Sequence, residues 1–152
     1  MRNLLIAVAV ACVVTSTATV ATAANSPTAE LYRAECGSCH DAYPARLLGA
    51  SDWRRVLTQL DRHYGVDASL DDATLRAVAQ ALGVDESHST AHAVSAAALP
   101  RITTRPWFVD EHDEVSAATF RSPKVRSAAN CSACHVDAAR GEFDDDSIRI
   151  PR

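Results

Sequence analysis

The chain has 152 residues, of which 47% are hydrophobic and 22% charged, and 15 basic against 19 acidic residues give a formal net charge of −4. This length allows one modest hydrophobic core, or two small ones if a large apolar group helps to fill them. The acidic balance and the lack of a basic amphipathic stretch argue against nucleic acid, and against an anionic membrane surface, as partners.

The first 23 residues are predicted to be a secretory signal peptide. Arg2 supplies a positive start, residues 4–14 form an apolar run, and small residues from Ala21 to Ala23 suit cleavage after Ala23. The apolar run is too short for a transmembrane anchor. We therefore expect export to the periplasm, and a mature chain that lacks Cys12 and Met1, the only methionine.

Two helices are predicted at the start of an N-terminal half, residues 24–83. Ser26 as N-cap and Pro27 at the first helical position predict a helix that runs to Cys36. Ser51 is predicted to cap a second helix that Gly65 ends. Its apolar positions follow helical spacing: Trp53, Val56, Leu57, Leu60 and Tyr64.

A third helix completes this half, because Asp71 and Asp72 favour a helix start and Gly83 a helix end. Residues 84–100 follow as a predicted connector, rich in Ala, Ser, Asp and His. Its two histidines, His88 and His92, are interpreted as surface residues because no large apolar side chain accompanies them before Leu99.

The C-terminal half is predicted to span residues 101–152. After Pro106, a helical stripe is predicted, and helical structure is expected to continue through Phe120 and Val125. Ile148 and Ile150 alternate in a predicted short extended tail. The stripe comprises Trp107, Phe108, His112 and Val115.

Each half contains one motif of two cysteines separated by two residues and followed directly by histidine. Residues 36–40 read CGSCH and residues 131–135 read CSACH, and together they use all four cysteines left after signal cleavage. Two such thiols can each form a thioether to one haem, and the next residue then directs its imidazole at the iron. The predicted attachment residues are Cys36, Cys39, His40, Cys131, Cys134 and His135.

Two other uses of paired cysteines explain the motifs less well. Four cysteines suffice for one zinc ion, but zinc gives no reason for a histidine behind both pairs. A thioredoxin-like dithiol needs one such pair between a strand and a helix, and that setting is missing. The sequence therefore predicts two covalently attached haem c groups.

The sixth coordination position of each iron is predicted to be filled by histidine or left open, because no methionine remains. His63 is the best candidate for the first haem, since it ends the second predicted helix, whose apolar face suits a macrocycle. His112 is the matching candidate for the second, flanked by Trp107 and Phe108. Either histidine could instead be partly buried and bonded to the backbone.

The chain resembles a known family, the soluble exported dihaem cytochromes c. The resemblance covers nearly the whole mature chain and lies in the stretches CGSCHDAYPARLL, HYGVDASLD, RITTRPWFVDEHDEV, NCSACHVDAARGEF and IRIP, with Trp53 and Leu60 between the first two. It implies bis-histidine ligation of both haems, by His40 with His63 and by His135 with His112. It also implies a membrane b-type cytochrome as donor and a small monohaem, oxygen-binding cytochrome as acceptor.

We therefore expect a mainly α protein built of two small cytochrome c-like helical haem-binding halves, with little or no β structure. The expected function is electron transfer between redox proteins, with no catalytic residues. The alternative is a haem enzyme or gas-binding protein with one open iron position, for which Arg54, Arg55 or Arg62 could serve in a distal pocket. Four acidic residues, Glu142, Asp144, Asp145 and Asp146, are interpreted either as a solvated loop or as a docking surface for a basic partner.

Overall fold

The computed structural model describes residues 26–84 and 98–151, and these two ranges form helices, turns and loops without any strand. Two isolated antiparallel bridges, His63 with Val66 and His135 with Ile148, are the β pairing within them. The mainly α fold with little or no β structure is therefore confirmed. No helix in the described ranges is long and apolar enough to cross a bilayer.

Five α-helices and six short 3-10 segments make up the regular structure of the described residues. The α-helices are α1 (Pro27–Cys36), α2 (Ala50–Leu57), α3 (Asp72–Ala81), α4 (Pro106–Glu111) and α5 (Ala117–Arg121). The 3-10 segments are Ala45–Leu47, Leu60–Arg62, Ile102–Thr104, Cys131–Ala133, Ala138–Arg140 and Asp145–Ser147.

The predicted signal peptide and most of the predicted connector, including His88 and His92, lie outside the described residues. The division into two halves joined by a connector thus stays a prediction.

Local capping determines where α1 and α3 begin, as the sequence predicts. The Ser26 hydroxyl accepts a hydrogen bond from the Ala29 amide at 3.2 Å, and Pro27 opens α1. The Asp71 carboxylate accepts from the amides of Ala73 and Thr74 at 2.9 and 3.1 Å at the start of α3. Each cap satisfies backbone donors that the first helical turn leaves without a partner.

The predicted second helix is wrong at both ends. Helix α2 begins at Ala50 after Gly49 and ends at Leu57, well before Gly65. The Thr58 hydroxyl donates to the carbonyl of Arg54 at 3.0 Å, and the chain then tightens into the 3-10 segment Leu60–Arg62. Side-chain bonds to the backbone compete with helix continuation in this way. His63 consequently lies in a turn, not on a helix.

The predicted helical stripe in the C-terminal half is also shorter than expected. Helix α4 ends at Glu111, and His112 adopts a non-helical conformation with φ −122° and ψ 19°. A new helix, α5, starts where the Ser116 hydroxyl accepts from the Thr119 amide at 3.1 Å. Val115 thus falls between two short helices.

The buried apolar residues are distributed unevenly between the two parts of the chain. Helices α1 and α3 pack against each other, α2 contacts α3, and nine buried residues form one core: Tyr32, Leu48, Trp53, Val56, Leu57, Val78, Ala79, Leu82 and Val84. In residues 98–151 the buried hydrophobic residues are Phe108, Val125 and Ala138. So small a set cannot form a core for this part without a further apolar group.

Gly83 allows α3 to end in a left-handed turn. Its φ is +67°, its amide bonds to the Gln80 carbonyl at 3.1 Å, and the Val84 amide bonds to the Ala79 carbonyl at 2.9 Å. This pair of bonds is the Schellman arrangement, which satisfies the last carbonyls of the helix. It buries Val84 in the core.

We expect Gly83→Ala to lower the free energy of unfolding by about 1 kcal/mol, because a side chain disfavours positive φ. Gly49→Ala is the matched control: both glycines have open space where a Cβ would lie, but Gly49 has φ −71°. The free energy of unfolding of the Gly49→Ala variant should change by only a few tenths of a kcal/mol. Denaturant unfolding of both variants measures the difference, and equal effects would contradict this account.

Candidate haem sites

The first cysteine motif begins at the last residue of α1. Cys36 is partly buried, and the Gly37 amide bonds back to the Arg33 carbonyl at 3.0 Å. A Cβ at Gly37 would collide with that carbonyl oxygen, so this close turn requires glycine. The turn leaves Cys39 and His40 exposed beyond the helix end.

His40 and His63 form the first pair of facing imidazoles. Their ring centres lie 6.1 Å apart with an angle of 17° between the ring planes. His63 reaches this position through a turn in which its carbonyl accepts from the Val66 amide at 3.1 Å, and Tyr64 adopts φ +49°. On the other side, the Tyr43 ring stacks on His40 at 4.9 Å.

The second motif begins in the 3-10 segment Cys131–Ala133, and the extended tail supports it. The His135 amide bonds to the Cys131 carbonyl at 2.8 Å, and the Arg149 amide bonds to the Cys134 carbonyl at 2.8 Å. The bridge between His135 and Ile148 continues this pairing. The tail predicted from Ile148 onwards therefore holds the second motif in place.

His112 and His135 form the second pair, with ring centres also 6.1 Å apart but with the planes at 69°. Phe108 stacks on His112 at 4.0 Å, and Phe143 lies 5.1 Å from His135. The two pairs thus share one spacing but differ in ring orientation, which makes the two sites inequivalent.

An iron atom between two imidazoles fits this spacing. A metal–imidazole bond of about 2.0 Å plus about 1.1 Å from nitrogen to ring centre gives roughly 6.2 Å between ring centres across the metal. Both observed pairs, at 6.1 Å, match that requirement. The residues present therefore fit bis-histidine haem at both motifs, although the assignment of these rings as ligands remains a prediction.

One histidine of each pair is oriented by a backbone carbonyl. Nδ1 of His40 lies 2.7 Å from the Asp41 carbonyl oxygen, and Nδ1 of His112 lies 2.8 Å from that of Phe108. A protonated Nδ1 donating there leaves Nε2 as the lone-pair nitrogen, the form that a metal needs. In contrast, Nδ1 of His63 and Nδ1 of His135 are buried without a hydrogen-bond partner.

Burial favours the neutral form of both of these histidines. It lowers the pKa of His63, with a further contribution from nearby His40. It likewise lowers the pKa of His135, where His112 adds to the effect and Asp145 opposes it. Neutral imidazole is the ligating form, so desolvation favours metal binding at both positions.

Burial raises the pKa of the cysteine thiols, whereas it lowers the pKa of these histidines. The pKa of Cys36 is raised to about 11, mainly by burial and secondly by the charge of Glu35. The pKa of Cys131 is also raised to about 11, mainly by burial and secondly by the charge of Asp41. Redox-active dithiols need a depressed thiol pKa instead. Within residues 26–84 and 98–151, no three His, Cys, Asp or Glu side chains converge as a zinc site would require.

Three contacts join the segment that follows the first motif to residues in or near the second, and no pattern in the sequence indicates them. The Asp41 carboxylate accepts from the Ser132 amide at 3.1 Å and from the Ser132 hydroxyl. The Tyr43 hydroxyl donates to the Ala129 carbonyl at 2.7 Å. The Arg46 guanidinium donates to the Gly141 carbonyl. We refer to these three as the inter-motif contacts.

Comparison with known proteins identifies the family of the chain. The family model described as "Dihaem cytochrome c" matches residues 32–143. No curated protein matches the chain significantly.

Two solved structures illustrate the similarity. The dihaem c-type cytochrome of Shewanella baltica OS155 is 39% identical, with a TM-score of 0.67, covering 82% of this chain and 94% of its own. A dihaem cytochrome c from Rhodobacter sphaeroides is 40% identical, with a TM-score of 0.61, covering 75% and 95%. On the family match and these likenesses, the chain belongs to the dihaem cytochrome c family, whose members carry two covalently attached haem c groups.

Proposed function

We propose that this protein is an exported electron carrier that works by outer-sphere transfer through two low-spin, bis-histidine haems. The observation that carries the proposal is the 6.1 Å separation of the imidazole rings in both pairs. The dihaem cytochrome c family is generally one of electron-transfer proteins, which is consistent with this function.

The cysteines would attach the haems, and the histidines would ligate the irons. Cys36 and Cys39 would hold the first haem and Cys131 and Cys134 the second, because these pairs immediately precede His40 and His135. Bound haem iron supplies a one-electron couple. Two histidines at each iron leave no position for a substrate, so the chain would exchange electrons without binding or converting a small molecule at the metal.

The rival function, a haem enzyme or gas-binding protein, needs a distal group beside an open iron. Arg55 instead lies 3.7 Å from the Asp52 carboxylate and donates to the Ala98 carbonyl at 2.7 Å. Arg62 pairs with Asp61 at 3.4 Å. These contacts favour the carrier, because they engage two of the three arginines that the rival could use.

We also propose a periplasmic location, which rests on the predicted signal peptide with its cleavage after Ala23.

Haem proteins of this kind exchange electrons with other redox proteins. The resemblance to exported dihaem cytochromes implies a membrane b-type cytochrome as donor and a small monohaem, oxygen-binding cytochrome as acceptor.

The acidic surface beside the second motif suits a basic redox partner. An open depression there is lined by Val136, Asp137, Asp144, Asp145, Asp146, Ser147 and Arg149. Val136 directly follows His135 and is 57% exposed, so an apolar contact point lies amid the acidic groups. Opposite charges accelerate encounter and orient a partner, while a central apolar contact holds it.

Replacing either distal histidine tests the ligand assignment. We expect His63→Ala, and separately His112→Ala, to convert one of the two haems from low spin to high spin without detaching it, because the thioether bonds remain. Optical and electron paramagnetic resonance spectra measure spin state, and protein mass reports attached haem.

His88→Ala and His92→Ala are the controls, and both haems should stay low-spin in them. A high-spin haem in either control would overturn the ligand assignment. A high-spin haem in the unaltered protein would instead support the rival enzyme or gas-binding function.

The docking proposal predicts a charge-dependent rate. Asp144→Asn with Asp146→Asn should slow electron transfer to a small basic monohaem cytochrome by roughly two- to tenfold at low salt. The same change should flatten the salt dependence, since attraction is screened over about 10 Å at 0.1 M ionic strength. Asp145 is left intact because its charge acts on His135. Stopped-flow kinetics at several salt concentrations measure both effects.

Asp67→Asn with Asp72→Asn is the matched control, since it removes the same charge from exposed residues of the N-terminal part. The control should keep most of the original rate and salt dependence. Equal rates in the two double variants would show that the acidic surface plays no part in docking.

A further inference from the structure

Asp41 makes hydrogen bonds in two directions from its place directly after His40. Its carbonyl oxygen lies 2.7 Å from Nδ1 of His40, the predicted proximal ligand of the first haem. Its carboxylate accepts from the amide and the hydroxyl of Ser132. Ser132 lies between Cys131 and Cys134, the predicted attachment points of the second haem. One residue therefore connects the two motifs.

The charge of Asp41 reaches both sides of this contact. Asp41 directly follows His40, and its carboxylate accepts from Ser132 between the second pair of cysteines. One negative charge therefore lies beside both motifs. A negative charge so placed stabilises the more positive, oxidised state of a nearby iron.

The other inter-motif contacts do not pass through Asp41. The Tyr43 hydroxyl bonds to Ala129, and Arg46 bonds to Gly141 and lies 5.5 Å from the Phe143 ring. Replacing Asp41 leaves these two contacts in place. Arg105 also still pairs with Asp52, and Arg101 still lies over the Tyr64 ring, so the two parts of the chain keep other links.

We propose that Asp41 is a positioning residue that fixes the orientation of the two haems relative to each other and lowers both of their reduction potentials through its charge. The inference rests on the proposed attachment of the haems at the two motifs. It assigns to one side chain two effects, a geometric one through hydrogen bonds and an electrostatic one through charge, and substitutions can separate them.

Asp41→Asn should separate the two effects, because an amide can still accept from the Ser132 amide while carrying no charge. We expect it to raise both midpoint potentials and to keep the Soret circular dichroism couplet, which depends on the distance and mutual orientation of the two haems. Asp41→Ala should raise both potentials and also shrink or lose the couplet. Ser132→Ala should weaken the couplet and leave the potentials close to their original values.

Asp71→Asn is the charge-matched control, since Asp71 caps α3 by local bonds and asparagine caps equally well. It should change neither the couplet nor the potentials appreciably. An unchanged couplet in Asp41→Ala would overturn the geometric role, and unchanged potentials in Asp41→Asn would overturn the electrostatic one. If Asp41→Ala fails to mature, Asp41→Asn and Ser132→Ala still decide both points.

The proposed function is checked separately in each variant by mass and by spin state. If the Asp41 variants keep two attached low-spin haems and show an unaltered couplet and unaltered potentials, the role of Asp41 is refuted and the proposed function is not. A protein that lacks the second haem before any substitution would refute the proposed attachment instead.

Discussion

The separation of two imidazole rings by 6.1 Å, repeated at both sites, is the constraint on which much of the local structure depends. One ring of each pair belongs to a cysteine motif, and the other must come from a distant segment. His63 lies beside His40 in a segment where α2 has already ended at Leu57 and the next residue, Tyr64, has a left-handed φ of +49°. That conformation costs about 1 kcal/mol or more for a non-glycine residue. A metal bond at His63 would offset this cost.

The cofactor also has a structural role, and it differs between the two parts of the chain. The N-terminal part has a polypeptide core of nine buried residues, whereas residues 98–151 bury only Phe108, Val125 and Ala138 among their hydrophobic side chains. A segment of that size with so little buried area is marginal by itself. A haem fixed by two thioethers supplies a large apolar body that cannot dissociate. Order in the C-terminal part would therefore depend more strongly on a haem held at its cysteine motif.

The sequence predicted those features that arise from neighbouring residues. The caps at Ser26 and Asp71 and the cysteine motifs are local, so composition and spacing suffice to find them. The ends of α2 and α4 were mispredicted because apolar periodicity continues past them, whereas the chain leaves the helical conformation at Thr58 and at His112. The contact between Asp41 and Ser132 spans 91 positions and involves two small polar residues. No periodicity or motif marks such a pair, so only the structure shows it.

The polar character of the inter-motif contacts suits an electron carrier better than apolar packing would. A hydrogen bond at a partly exposed site contributes only about 1 kcal/mol to net stability, yet it is directional. The hydrophobic effect has no preferred direction, whereas the Asp41 carboxylate must meet both the amide and the hydroxyl of Ser132 at one orientation. Because Asp41 and Ser132 each lie within two residues of a predicted haem-holding side chain, a small rotation at this contact would be passed directly to the haems. If Asp41 has the proposed positioning role, these bonds matter more for the geometry of electron transfer than for the stability of the fold.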